Sequence, residues 1–89
     1  MKTLIVIPTY NEVHNIQKLI PLLLDKYPEL DILIVDDNSP DGTAGFVEQT
    51  GKSDTRVKVL KREKKMGLGT AYVAGFKYML NNGYQAVIQ

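Results

Sequence analysis

Ile32-Leu33-Ile34-Val35 runs without a polar interruption into Asp36-Asp37, and Asn38-Ser39-Pro40-Asp41-Gly42-Thr43 follows at once. A β-branched apolar run without alternation suits a strand buried on both faces, the kind found in parallel sheets covered by helices. The carboxylates then fall at the C-terminal end of that strand, where open α/β sheets bind ligands. Neighbouring side chains on a strand point to opposite sides. One of Asp36 and Asp37 is therefore expected to bond to nearby backbone and the other to face the crevice. The alternative is that both only cap the turn and the helix after it.

The rest of the chain alternates strands and helices around this run. Leu4-Ile5-Val6-Ile7 reads as a first strand, stopped by Pro8, which cannot donate into a ladder. Thr9 and Glu12 have capping-box spacing. They open a helix with apolar positions Val13, Ile16, Leu19, Ile20, Leu23 and Tyr27. Pro21 lies inside it and predicts a bend or break near Gln17–Pro21. After the central strand, Ser39-Pro40 reads as an N-cap with proline at the first helical position, and Gly51 as the stop after about Thr50. Val57-Lys58-Val59-Leu60 is shorter and more polar, which places it at a sheet edge. A third helix is predicted from about Gly69 to Asn81 with the stripe Leu68, Tyr72, Phe76, Met79 and Leu80. Ala71, Ala74 and Gly75 permit close approach, and Asn81-Asn82-Gly83 ends the helix. Ala86-Val87-Ile88 begins a fourth strand. With right-handed crossovers, β-α-β-α-β-α-β gives an α/β fold, a doubly wound parallel sheet, in one small domain.

Composition narrows the chemistry. Cysteine is absent, which removes disulfides, thiolate metal sites and cysteine nucleophiles. The net charge of +1 carries no global bias toward nucleic acid, although six of the 11 basic residues lie between Arg56 and Lys65. No apolar run reaches the roughly 18–20 residues of a membrane span, and Met1-Lys2-Thr3 shows no signal-peptide pattern, so the chain is expected to be cytosolic in type.

The candidate residues gather at the C-terminal ends of the first three strands, which argues for a site there. Tyr10 offers a ring on which a purine or pyrimidine can stack, with Glu12 beside it. Thr9 and Glu12 equally suit a plain helix cap. Asp37 is placed to accept from a base N–H or a ribose hydroxyl. The first loop lacks Gly-x-Gly-x-x-Gly, and no Gly-x-x-x-x-Gly-Lys-Ser/Thr loop occurs, so a diphosphate must be held by a metal or by basic residues. Arg62, Lys64 and Lys65 are candidates for part of that field, or form a solvated basic loop. Gly67 and Gly69 permit the turn into the third helix. His14 is alone and without partners for a metal.

Pro8-Thr9-Tyr10-Asn11-Glu12, Val35-Asp36-Asp37-Asn38-Ser39-Pro40-Asp41-Gly42-Thr43 and Arg62-Glu63-Lys64-Lys65-Met66-Gly67-Leu68-Gly69-Thr70-Ala71-Tyr72 together resemble the dolichyl-phosphate (polyprenyl-phosphate) mannose synthases. These are inverting family 2 glycosyltransferases of the GT-A fold. The resemblance covers essentially the whole chain. The first two motifs are shared by many family 2 enzymes. The third, combined with Ser39–Thr43, narrows it to the polyprenyl-phosphate mannose branch. It implies mannose transfer from GDP-mannose to dolichyl or polyprenyl phosphate, with Pro8, Tyr10, Glu12, Val35 and Asp37 lining the GDP pocket. It also implies Mg2+ or Mn2+, bound by an Asp-x-Asp motif directly after the fourth strand. Gln89 precedes any such motif, so residues 1–89 are expected to be the incomplete N-terminal, donor-binding part of a larger domain. The metal ligands, acceptor groove and membrane-associating parts are expected beyond it, at the cytosolic face of a membrane. No nucleic-acid partner is expected. A family 2 transferase using a UDP-sugar and a non-catalytic nucleotide- or protein-binding module are the alternatives. A fourth strand from about Gln85, with Val87, Ile88, Phe76 and Met79, is expected to mediate self-association.

Overall fold

The computed structural model describes residues 3–63, 68–84 and 86–88. Readings placed on Lys64, Lys65, Gly67 and Gln85, and on the side chains of Leu68, Val87 and Ile88, lie outside the described residues. Strands β1 (Thr3–Thr9), β2 (Leu30–Asp36), β3 (Val57–Lys61) and β4 (Ala86–Ile88) form a four-stranded sheet in the order β3-β2-β1-β4. Every pairing is parallel. Helices α1 (Val13–Lys26), α2 (Thr43–Ser53) and α3 (Leu68–Asn81) make the crossovers. The first two crossovers build outward from β1 to β3, and the third returns past β1 to β4. That reversal beside β1 is the switch point of a doubly wound sheet.

β2 is buried on both faces, as its unbroken apolar run requires. Ile32 and Ile34 pack with Ile16 and Ile20 of α1, Val47 of α2 and Val57 of β3. Leu33 and Val35 face the other way, against Leu4 and Val6 of β1, Ala71 of α3 and Tyr84. α1 and α2 therefore cover one face and α3 the other. β3 lies at an edge, as its polarity predicted.

Several boundaries differ from those predicted, each for a local reason. Pro8 does not stop β1, because it pairs with Val35, and the strand continues to Thr9. Residues alternate their backbone groups between the two neighbours of a strand. Thr9 C=O accepts from the Asp37 amide on the β2 side, so the Pro8 nitrogen points away from β2 and its missing N–H costs that ladder nothing. Pro21 does not break α1. Pro21 and Gln17, whose carbonyl loses its helical donor, both lie on the exposed face, where the carbonyl is open to solvent. Gly51 is not a helix stop. α2 continues to Ser53, and a Cβ at Gly51 would lie 2.8 Å from the Val57 carbonyl oxygen, so the glycine serves close approach to β3.

α3 shows the same device more strongly. Its inward face is Ala71, Gly75 and Tyr78 with Tyr72 and Met79 of the predicted stripe, whereas Phe76 and Leu80 of that stripe are 43% and 73% exposed, and Val73 is 53% exposed. A Cβ on Gly75 would sit 2.7 and 2.8 Å from the two methyl carbons of Val6. Val6 is buried and β-branched, so it has little freedom to yield. Gly75→Ala is expected to cost about 1–3 kcal/mol through overpacking. An unshifted urea midpoint would show that α3 can lift off the sheet at no cost. Beyond α3, Gly83 turns the chain at φ 76°. Buried Tyr84 then donates its hydroxyl to Asp31 Oδ2, which also meets Lys58 Nζ at 3.3 Å. Burial and this carboxylate push the Tyr84 hydroxyl pKa well up.

Candidate functional site

The loops that leave β1 and β2 meet above the C-terminal edge of the sheet. Asp36 is 1% exposed and organises them. Its Oδ1 accepts from Thr9 Oγ1 at 2.7 Å and from Ser39 Oγ at 2.6 Å, and its Oδ2 accepts from the Ser39 amide at 2.9 Å. Ser39 Oγ also accepts from the Asn11 amide at 2.8 Å. Asp36 is thus the carboxylate that bonds locally. These contacts overturn two predicted caps. The Thr9 hydroxyl is engaged by Asp36, so no capping box forms, and Glu12 carries no side-chain cap bond. Ser39 and Pro40 precede α2 without starting it. The helix begins at Thr43 after Gly42 at φ 86°.

Asp41 replaces both caps. Its Oδ2 accepts from the Val13 amide at 3.1 Å and its Oδ1 from the Thr43 amide at 3.1 Å, with the Thr43 hydroxyl also donating to Oδ1. One carboxylate therefore serves the first turns of α1 and α2. The Thr43 hydroxyl, followed by the two amides, holds the Asp41 carboxyl below its ordinary pKa. Asn11 and Asn38, each two residues past its strand, both adopt φ 56°. Asparagine tolerates this left-handed conformation better than most residues, and in each loop it directly follows a candidate ligand residue, Tyr10 or Asp37.

Asp37 is 7% exposed, and its two oxygens meet Arg62 Nε at 2.6 Å and Nη2 at 2.8 Å. Arg62 Nη1 reaches the Thr70 hydroxyl of α3 at 3.0 Å, and the Arg62 amide donates to the Asp36 carbonyl at 2.8 Å. Among the described basic residues proposed for a diphosphate, Arg62 is thus committed to Asp37. Tyr10 is 40% exposed at the end of β1, Glu12 is exposed beside it, and Pro8 is half-buried. Val35 is fully buried in the core beneath α3, so its side chain packs rather than faces solvent. Sequence reasoning missed the parts played by Ser39, Asp41 and the Asp37–Arg62 pair. The available signal was an acid ending β2 and a base ending β3, two neighbouring parallel strands in which Asp36 pairs with Lys61.

Among the described residues no group of three or more His, Cys, Asp or Glu side chains could hold a metal ion. Asp36 and Asp37 spend both oxygens on protein donors, and the other described acids add no such group to them. His14 is exposed on α1. A cavity of about 370 Å³ lined by Thr3, Lys26, Tyr27, Pro28, Glu29 and Leu30 opens at the opposite, N-terminal end of the sheet, away from these loops. Among the described residues no helix is long and apolar enough to cross a membrane.

The family model described as Glycosyl transferase family 2 matches residues 4–88. Over 89 residues the chain is 44% identical to an undecaprenyl-phosphate mannosyltransferase of Micrococcus luteus, covering 100% of this chain and 37% of that protein. It is 42% identical to a polyprenol monophosphomannose synthase of Mycolicibacterium smegmatis, covering 99% of this chain and 34% of that protein. A dolichol-phosphate mannosyltransferase of Pyrococcus furiosus is 39% identical over 79 residues, or 86% and 22% of the two chains. The chain thus spans roughly a third or less of these relatives. A solved mannosyltransferase of Pyrobaculum calidifontis, in complex with GDP-Man and Mn2+, superposes with a TM-score of 0.73 at 23% identity, over 86% of this chain and 24% of that one. This likeness shows the fold. With the family match spanning almost every residue and carrying all three strand-end motifs, the chain belongs to glycosyl transferase family 2.

Proposed function

We propose that this chain supplies the donor-nucleotide end of a polyprenyl-phosphate mannosyltransferase, which moves mannose from GDP-mannose to dolichyl or another polyprenyl phosphate. The supporting observation is the convergence of Tyr10, Glu12 and Asp37 on one end of the sheet, in a chain 44% identical to an undecaprenyl-phosphate mannosyltransferase. In this reading Tyr10 stacks on the base. Asp37, held by Arg62, accepts from base N–H groups or a ribose hydroxyl. Pro8 and Val35 fix the strand ends that present them, and Glu12 lines the same pocket. The lipid phosphate is already anionic, so it attacks the anomeric carbon without a general base. The new bond forms on the face opposite the departing GDP, with inversion. Mg2+ or Mn2+ belongs to the reading as a cofactor, with no ligand set among the described residues. A soluble sugar nucleotide meets a lipid acceptor only at a membrane surface, which the reading places on the cytosolic side.

The test supplies protein carrying this chain with undecaprenyl phosphate and either labelled GDP-mannose or a labelled UDP-sugar, with Mg2+ or Mn2+. Label is expected in the lipid phase from GDP-mannose alone. Transfer from the UDP-sugar, or from neither donor, overturns the proposal. Self-association is part of the same reading, supported by Val73, Phe76 and Leu80, exposed at helical spacing on α3. Sedimentation at micromolar concentration is expected to show a species heavier than the 10.0 kDa chain. A concentration-independent monomer removes it.

A further inference from the structure

The site contains a buried carboxylate, Asp36, that the proposed chemistry does not use. Tyr10 lies between Thr9 and Asn11, and both neighbours are bonded to the second loop. Thr9 donates its hydroxyl to Asp36, and Asn11 donates its amide to Ser39 Oγ. Ser39 passes its hydroxyl and its amide to the two oxygens of Asp36. Thr9, Asp36, Ser39 and Asn11 therefore close a ring of contacts through the backbone of Tyr10. The Thr9 carbonyl adds a second tie, to the Asp37 amide at 3.1 Å.

We infer that Ser39 and Asp36 are positioning residues for Tyr10, fixing its place in the loop before any ligand arrives. The inference rests on the reading that Tyr10 stacks on a nucleotide base. Asn11 is left-handed, so the loop after Tyr10 has a local incentive to relax into commoner conformations. The bond to Ser39 opposes that relaxation from one side, and the Thr9–Asp36 bond from the other. A ring held in place in the free protein does not have to be ordered during binding, and avoided ordering appears directly as affinity. Neither Ser39 nor Asp36 needs to touch the nucleotide for this.

The experiment compares ¹⁵N-labelled wild type, Ser39→Ala, Ser39→Thr and Thr9→Val without ligand. Ser39→Ala is expected to speed exchange of the Asn11 amide by about three- to tenfold, the range of one net hydrogen bond. It is also expected to lower the backbone order parameter of Tyr10. Ser39→Thr restores the hydroxyl and should recover both values, and Thr9→Val should loosen Tyr10 from the opposite side. Titration with GDP-mannose then reads the consequence. Ser39→Ala is expected to weaken affinity by a similar factor in the wild-type background and to have no effect in a Tyr10→Ala background. An unchanged Tyr10 order parameter, failure of threonine to rescue, or an equal affinity loss without Tyr10 overturns the inference. If wild type does not bind GDP-mannose, the functional reading falls. The order of Tyr10 in the ligand-free variants still decides whether it is positioned by the ring.

Discussion

Replacing Arg62 with alanine is expected to destabilise the chain by about 3–5 kcal/mol, the cost of breaking a buried ion pair by removing one partner. The two side chains are only 11% and 9% exposed, and the contact is a bidentate fork at 2.6 and 2.8 Å. Total stability for a domain is about 5–15 kcal/mol, so the loss removes a large share of it. At about 4–8 °C per kcal/mol for a domain of this size, the melting temperature should fall by more than about 10 °C. Arg62→Lys keeps the charge without the fork and should fall between the two. The paired change Arg62→Met with Asp37→Leu removes both charges and should recover most of the loss. A urea titration that finds less than about 1 kcal/mol for Arg62→Ala would mean that water screens the pair as it does a surface contact.

Asp36→Ala should be nearly as damaging, although no ion pair is broken. It leaves the Thr9 hydroxyl and the Ser39 amide and hydroxyl without their acceptor. Thr9 is 4% exposed, so water cannot replace the carboxylate there. Each abandoned buried donor costs about 1–3 kcal/mol, which sets the expected loss at about 3 kcal/mol. Asp36→Asn retains one acceptor oxygen but turns a donor toward donors, so it should recover only part. Denaturation midpoints of the three proteins check the order. A near-silent Asp36→Ala would show that solvent enters the loops and takes over the bonds.

The features read correctly from sequence are those fixed by short-range pattern. Ile32–Val35 announced a strand buried on both faces, Val57–Leu60 an edge, and the alternation of elements a doubly wound parallel sheet. The placement of Tyr10, Glu12 and Asp37 at strand ends followed from the same pattern. What failed was every cap assignment whose side chain has a distant partner. Thr9 finds Asp36 27 residues away, and Ser39 finds Asn11 28 residues away. Local propensity has no access to such competition. Asp37 shows the same limit, since its partner Arg62 lies 25 residues on and becomes a neighbour only when β2 and β3 pair in register. The α3 stripe held at Tyr72 and Met79 and failed at Phe76 and Leu80, for a different reason. Periodicity counts large apolar residues, whereas the face against the sheet is set by Ala71 and Gly75, two of the small residues whose close approach the sequence did predict.

The bonds from Asn11 to Ser39 and from Val13 to Asp41 have a consequence for how members of the family can be recombined. The β1–α1 and β2–α2 loops are separated along the chain by a helix and a strand, yet the first borrows from side chains of the second the acceptors for its Asn11 and Val13 amides. They are inherited as one unit. A loop grafted alone from another transferase would arrive with its amides facing side chains chosen for a different partner. Loop exchanges should therefore fold as designed only when residues 9–13 and 36–43 are exchanged together.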